Sequence, residues 1–194
     1  MNNKNESEKI LREILLFENF YLHPNIIKLL NVIKSKNEID IYYIFEYVEA
    51  NLSNVISSNI LSEIHIKYII FQLIKTLKYI HSADIIHRDL STTNIMIDKN
   101  SNIKIVDISL AICQSDKSDN NFALNDFIQT RWYRAPELLL NALSYNQAVD
   151  MWSLGCILGE MIIGKILFNG NSTINQLGLI MELTGVPTKE DICK

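Results

Sequence analysis

The sequence predicts an α+β fold in which a short β-rich segment lies between one helix and a longer series of helices. Apolar residues recur at helical spacing over residues 6–20, and again over the stretch that begins after Ser62. Between them lie two runs rich in β-branched and aromatic residues, at 26–34 and 40–48. The length of 194 residues is sufficient for one domain with a sizeable core.

The first helix is predicted over residues 6–20, with His23-Pro24-Asn25 beyond its end. Its apolar stripe is expected to contain Ile10, Leu11, Ile14 and Leu15. The polar residues 34–38 separate the two β-rich runs, which predicts a β-hairpin.

Further elements follow from the same signals. A short helix is predicted near 52–59, and Ser62 can cap the long helix that follows. Brief strands near 94–98 and 103–107 flank a turn, and the polar tract 114–121 predicts a loop. Helical patterns then occupy 136–141, 147–164 and 173–183.

Composition excludes several classes of protein. The net charge of -4, without a basic run, gives no bulk attraction to nucleic acid or to an anionic membrane. Three widely spaced cysteines fit neither a disulfide framework nor a zinc knuckle. The most apolar stretch, 156–168, is too short to span a bilayer, and the polar first residues do not form a signal peptide. We therefore expect a soluble cytoplasmic or nuclear protein with no nucleic-acid or membrane partner.

A group of polar residues after the long helix has the spacing needed for phosphoryl transfer. Asp89 and Asn94 are five positions apart, and Asp107 lies thirteen residues beyond Asn94. Phosphoryl transfer requires one carboxylate to orient the attacking hydroxyl, together with oxygen ligands for Mg²⁺. Asp89 could orient the hydroxyl, and Asn94 and Asp107 could hold the metal. The triplet His87-Arg88-Asp89 alone is weak support, because an Asp in a loop is usually a turn former.

Two further motifs follow in a fixed order, Thr130-Arg131-Trp132-Tyr133-Arg134-Ala135-Pro136-Glu137 and Asp150-Met151-Trp152-Ser153-Leu154-Gly155-Cys156. With this ordered set the chain resembles the protein kinases, and the first string is similar to that of the MAP kinases and cyclin-dependent kinases. The resemblance implies a serine/threonine kinase that uses ATP and Mg²⁺ on proline-directed Ser/Thr sites of protein substrates, under an upstream kinase. Residues 1–48 would be part of the small lobe, and residues 49–194 a large lobe truncated at its C-terminal end.

The same resemblance assigns an ATP site. Phe45 would be the gatekeeper, the backbone groups of Glu46 and Val48 would pair with adenine, and Glu13 would be the salt-bridge acid of the regulatory helix. Arg88 would belong to the catalytic loop. The alternative at 45–48 is an edge strand with aromatic packing. The alternative for Glu13 is a solvated helix acid, which the lack of a lysine partner in this chain favours.

The activation segment departs from the family pattern. Asn125, Asp126 and Phe127 occupy the place of the Thr-x-Tyr pair upstream of Thr130, so both hydroxyl acceptors are missing, and a polar turn is the alternative interpretation. Ile112 replaces one arginine of the phosphate-binding cluster. The resemblance matches the rest of that cluster to Arg12, Arg88, Arg131 and Arg134. It also places Arg131, Arg134 and Glu137 in the substrate-reading segment and links Arg134 to the proline preference.

Other departures concern catalysis itself. Ser91 replaces a lysine that would contact the transferred phosphate, and Ile108-Ser109 replaces Phe-Gly after Asp107. A residue with a Cβ in a glycine conformation at Ser109 would cost roughly 1–3 kcal/mol. All six glycines follow residue 154, so this chain has no glycine-rich loop before the catalytic segment, nor the small-lobe lysine. We expect the chain alone to be weak or inactive, and the alternative function is that of a pseudokinase acting as a binding or scaffold module.

Overall fold

The computed structural model describes residues 3–37, 40–114, 131–142 and 144–188, and its helices and small antiparallel sheets confirm the predicted α+β class. The helices of the described part are α1 (Asn3–Asn19), α2 (Leu52–Ser57), α3 (Glu63–Ser82), α4 (Pro136–Leu139), α5 (Ala148–Ile163) and α6 (Thr173–Thr184). The strands are β1 (Leu29–Lys34), β2 (Ile41–Phe45), β3 (Ala50–Asn51), β4 (Ile85–Ile86), β5 (Ile95–Ile97), β6 (Ile103–Ile105) and β7 (Ile112–Cys113).

The strands form three antiparallel groups. β1 and β2 make the predicted hairpin, with a register shift between Leu29 and Asn31. β5 pairs with β3 on one side and with β6 on the other, and β4 pairs with β7. Sheet β3-β5-β6 therefore fixes both ends of the segment from Asn94 to Asp107.

Helix α1 buries only part of the predicted stripe, since Ile10 and Ile14 are partly buried. Leu11 and Leu15 are 57% and 47% exposed, whereas Phe17 and Phe20 are buried. Phe17 contacts Phe45 of β2 edge to face, with ring centroids 5.1 Å apart. The stripe prediction was wrong at Leu11 and Leu15, because α1 turns Phe17 toward the hairpin, and Phe20 just beyond it contacts Tyr79 of α3 with ring centroids 5.8 Å apart.

The core lies between α3, α5 and sheet β3-β5-β6. Helix α3 contributes a row at helical spacing, which consists of Ile69, Leu73, Leu77 and Ile80. Ser62 is the N-cap of α3 as predicted, and its N–H donates to His65 Nδ1 at 3.2 Å. Within the described residues, no helix is long and apolar enough to cross a membrane.

The segment between α1 and β1 is hydrogen-bonded to the large lobe. The Ile27 N–H donates to the Ile105 carbonyl, and the Ile105 N–H donates to the Asn25 carbonyl, each at 2.9 Å. The buried Asn25 side chain donates to Gln72 Oε1 at 2.8 Å and to the Ile103 carbonyl at 3.0 Å. Through these bonds, α3 and β6 set the position of the end of α1.

Candidate active site

The loop that carries Asp89 is anchored by a buried aspartate at the start of α5. Asp150 is completely buried, and its two carboxylate oxygens accept the backbone N–H groups of His87 and Arg88 at 2.9 Å each. His81 Nε2 lies 2.8 Å from Asp150 Oδ2. Arg88 has a φ of 67°, which is costly for a residue with a side chain. The bonds to Asp150 stabilise this left-handed backbone immediately before Asp89.

Asp89 and Asn94 are in direct contact. Asn94 Nδ2 donates to Asp89 Oδ2 at 3.0 Å and to the Asp89 carbonyl at 3.1 Å, and the Asp89 N–H donates to His87 Nδ1 at 3.3 Å. Both bonds from the Asn94 side chain use its nitrogen, so its Oδ1 is the atom suited to a metal. Sequence spacing predicted this pairing of a carboxylate with an amide, and the loop brings them together.

The charge of Asp107 acts on the same carboxyl group. Burial raises the pKa of Asp89 to about 7, and the negative charge of Asp107 adds to this effect. The charges of Arg134 and Arg88 and the bond from Asn94 lower the pKa of Asp89, but burial outweighs them. The charge of Asp107 therefore reaches Asp89, and a cation between the two carboxylates would relieve their repulsion. We call the region between Asp89 and Asp107 the cleft.

The donor set in this cleft fits Mg²⁺. No group of three or more His, Cys, Asp or Glu in the described part of the chain could hold a metal ion. Mg²⁺, however, usually takes only one or two carboxylates from the protein and completes its octahedron with water and substrate phosphates. Asn94 and Asp107 would supply two oxygen ligands from the protein, which suits a nucleotide-bound Mg²⁺ rather than a structural cation.

The segment after Asp107 differs from the sequence-based expectation. Ile108 is buried in the core at 2% exposure, and the Ser109 N–H donates to Asp107 Oδ1 at 3.0 Å. The described non-glycine residues with positive φ are Asn59, Asp84, Arg88, Ser101 and Asn141, so Ser109 is not among them. The predicted strain at Ser109 was wrong, because the chain turns here without a left-handed residue.

Ser91, which stands where the resemblance predicts a lysine, is buried and hydrogen-bonded within the catalytic loop. It is 1% exposed, and its Oγ lies 2.9 Å from Thr93 Oγ1. Its Oγ and its carbonyl also accept the Asn94 N–H, at 3.3 Å and 3.1 Å. Ser91 therefore fixes the backbone of Asn94 and supplies no cation to the cleft.

Glu13 lies on the cleft side of α1. It is partly buried, and burial raises its pKa, with a further rise from the charge of Asp107. Burial and the charge of Glu13 in turn raise the pKa of Tyr43. Burial of this kind is not typical of a fully solvated helix acid, while the salt-bridge role of Glu13 stays a prediction.

The predicted hinge segment is bonded through Glu46 to Lys28 on one side and to Lys104 on the other. The Glu46 N–H donates to the Lys28 carbonyl at 3.1 Å, and Glu46 Oε1 accepts the Lys28 N–H at 3.0 Å and Lys104 Nζ at 2.6 Å. Because the Glu46 N–H is occupied, only its carbonyl could pair with adenine. Among the described residues, no hydrogen bond uses the backbone of the buried Val48. Phe45 packs on Phe17 at the back of this segment.

Three of the proposed substrate and activation residues lie in the segment from the turn at Arg131–Tyr133 to helix α4. Arg131 and Arg134 are buried, and Glu137 is partly buried in the first turn of α4. Arg88 is also buried, and its guanidinium donates to the Leu110 carbonyl at 2.7 Å and to the Tyr145 hydroxyl at 2.8 Å. The other predicted positions, Asn125, Asp126, Phe127 and Thr130, lie outside the described residues.

Sequence reasoning missed a buried polar cluster beneath the loop. Thr92 Oγ1 lies 2.8 Å from the Tyr133 hydroxyl and donates to Glu160 Oε1 at 3.2 Å, and the Tyr133 hydroxyl donates to Glu160 Oε2. Burial raises the pKa of Glu160, against the effect of these two bonds. A glutamate inside the most apolar stretch was the available signal, since a buried carboxyl group needs hydrogen-bond partners. Asp150 was recognised only as part of a motif.

A carboxylate bonded to an amide, with the charge of a second carboxylate acting on it, is the arrangement that phosphoryl transfer requires. The model of the protein kinase domain matches residues 1–192, and the chain belongs to the protein kinase family. Its relatives place it in the MAP-kinase-like branch.

Among these relatives is mitogen-activated protein kinase 15 of Xenopus laevis, which is 49% identical over 98% of this chain and 33% of that protein. Extracellular signal-regulated kinase 2 of Dictyostelium discoideum is 47% identical over 98% of this chain and 52% of that protein. Extracellular signal-regulated kinase 7 of Drosophila melanogaster is 42% identical over 96% of the chain and 21% of that protein. The chain thus spans between a fifth and about half of the length of these relatives.

Proposed function

We propose that this chain is part of the catalytic domain of a serine/threonine protein kinase that transfers the γ-phosphoryl group of ATP to Ser-Pro or Thr-Pro sites of protein substrates. The observation that carries the proposal is the contact between Asn94 Nδ2 and Asp89 Oδ2, at 3.0 Å, in a cleft shared with Asp107. Mg²⁺ bound with ATP would neutralise the charge that develops on the phosphates.

Each residue of the cleft has one task in this proposal. Asp89 in its ionised form accepts a hydrogen bond from the substrate hydroxyl and orients it for attack. Asn94 holds Asp89 through its nitrogen and offers its oxygen to the metal, together with Asp107. The Val48 backbone and the Glu46 carbonyl pair with adenine. An upstream kinase is a proposed partner, but Asn125 and Phe127 have no hydroxyl group to receive phosphate.

The test compares Asp89→Asn with the native residue in the full-length protein, on a Ser-Pro peptide. The substitution preserves shape and removes the orienting charge, so kcat should fall by roughly a hundredfold or more. Asp84→Asn is the matched control, because Asp84 is an exposed aspartate in the left-handed conformation that asparagine tolerates. Equal activity of Asp89→Asn and the native protein would contradict the proposal.

A second candidate is a pseudokinase that acts as a binding or scaffold module. The observation in its favour is Ser91, which is buried and bonded within the loop where a phosphate-contacting cation is expected. A folded full-length protein that binds ATP with Mg²⁺ but transfers no phosphate to any Ser-Pro or Thr-Pro peptide would favour this candidate.

A further inference from the structure

A closed ring of three hydrogen bonds joins the turn at Arg131–Tyr133 to the start of helix α6. Trp132 Nε1 donates to the Gly170 carbonyl at 3.0 Å, and the Gly170 N–H donates to Gln176 Oε1 at 2.9 Å. Gln176 Nε2 completes the ring by donating to the Trp132 carbonyl at 3.4 Å. One amide side chain therefore bonds both to the corner before α6 and to the turn.

The ring is tightly packed. Gln176 is completely buried in the first turn of α6, which leaves its amide no water to bond. A Cβ on Gly170 would lie 2.4 Å from Gln176 Oε1 and 2.6 Å from Gln176 Cα, so a side chain at this position is excluded. Removing one partner of a buried hydrogen bond costs more free energy than the bond contributes, because the remaining polar group stays unsatisfied.

The turn at Arg131–Tyr133 is also hydrogen-bonded to the catalytic loop and to helix α5. The Tyr133 carbonyl accepts Ser153 Oγ at 2.7 Å, and the Tyr133 hydroxyl is bonded to Thr92 and Glu160. Every group in these bonds belongs to the catalytic loop, α5, the corner at Gly170 or α6. Hydrogen bonds and buried packing therefore tie the turn to these elements.

We infer that Gln176 is a positioning residue for the peptide-binding turn at 131–134, which it fixes through Trp132. This rests on the proposed function, together with the substrate-reading role that the family resemblance implies for Arg131 and Arg134. Gln176 touches neither substrate nor nucleotide, and it acts through the Trp132 carbonyl and the Gly170 amide.

Hydrogen exchange in the full-length protein tests the inference without requiring activity. The indole N–H of Trp132 is followed by NMR and assigned by its loss in Trp132→Phe, and the amides of residues 131–135 are followed by mass spectrometry. Gln176→Leu should speed exchange of this indole and of these amides by about tenfold or more, because local opening becomes easier. Exchange in α3 should stay unchanged.

Asn175→Ala is the matched control. Asn175 Oδ1 accepts the Asn171 N–H at 3.1 Å, so this neighbour holds the same corner without touching the turn. Unchanged exchange at 131–135 in Gln176→Leu would overturn the inference, as would an equal increase in both variants. If Gln176→Leu does not fold, Gln176→Glu is judged by the same criteria, since it keeps the acceptor for Gly170 and removes the donor to Trp132.

Peptide kinetics separate the inference from the proposed function. In an active protein, Gln176→Leu should raise KM for a Ser-Pro peptide severalfold and change kcat less, as expected for a weaker substrate platform. Faster exchange in a protein that transfers no phosphate would leave the positioning role standing and refute the kinase proposal. Normal activity and normal exchange in Gln176→Leu would refute the positioning role alone.

Discussion

Asp89 is partly buried, and this makes its ionised form costly in free energy. Its pKa is raised to about 7, chiefly by burial and then by the charge of Asp107. The folded protein therefore holds this proton more tightly than the unfolded chain, in which an aspartate has a pKa of about 3.9. The associated stability is fully present below that value and is lost as the pH rises through about 7.

This predicts that Asp89→Asn stabilises the protein at high pH. At pH 8 the variant should exceed the native protein by about 1–3 kcal/mol in free energy of unfolding, discounted for the partial exposure of Asp89. The difference should vanish near pH 4, where the native carboxyl group is neutral as well. Urea unfolding across this range is the measurement, with Asp84→Asn as the exposed control. If the free energy of unfolding of Asp89→Asn at pH 8 is equal to or below that of the native protein, the burial of Asp89 is contradicted.

At the scale of elements, a buried amide pair strengthens the link between the end of α1 and the elements α3 and β6. Asn25 bonds Gln72 and Ile103, and Gln72 in turn accepts the Ile103 N–H and donates to the Ser101 carbonyl. These bonds join the end of α1 to α3 and β6. Since α1 also carries Glu13, the pair helps to place Glu13 beside Asp107.

Asn25→Ala should therefore destabilise the protein by about 1–3 kcal/mol, because Gln72 Oε1 and the Ile103 carbonyl lose a buried donor. Asn54→Ala is the control, as Asn54 is exposed on α2. Urea unfolding measures both. If Asn25→Ala lowers the free energy of unfolding by less than about 0.5 kcal/mol, as a surface substitution does, the link is not energetically important.

The elements that were predicted well have apolar residues at helical spacing over many residues, or a clear residue at their boundary. Helix α3 has both, since Ser62 caps it and its buried row runs from Ile69 to Ile80. The two-residue strands β3, β4 and β7 are too short to show any alternation, so pattern alone could not find them. The side of α1 that is buried depended on its contact with Phe45, which only the tertiary structure reveals.

The candidate site was likewise predictable from the sequence only in part. Asp89, Asn94 and Asp107 were predictable because their chemistry requires fixed residue types in a fixed order. The supports of the site were not, because they come from distant parts of the chain. Asp150 lies 63 positions from His87, and Glu160 lies 68 positions from Thr92. Sequence spacing cannot indicate which of several acids reaches the loop.

The whole molecule offers a nucleotide only part of a binding site. Its hairpin β1-β2 exposes apolar side chains, among them Leu30, Ile33, Tyr42 and Ile44. All six glycines of this chain follow residue 154, so the 194 residues contain no flexible glycine-rich loop that could cover phosphates next to the hairpin. The groups that remain for ATP are the Val48 backbone, the Glu46 carbonyl, Asn94 and Asp107.

We therefore expect the isolated chain to bind ATP with Mg²⁺ at a Kd on the order of 1 mM or weaker, which corresponds to about 4 kcal/mol of binding free energy. Titration calorimetry measures it, with the full-length protein as the comparison and Asp107→Asn as the control for metal dependence. If binding uses the proposed cleft, Asp107→Asn should weaken it only when Mg²⁺ is present, since the removed charge serves the metal rather than the adenine. A micromolar Kd for the isolated chain would show that the large lobe and hinge suffice, and that the covering of the phosphates contributes little to affinity.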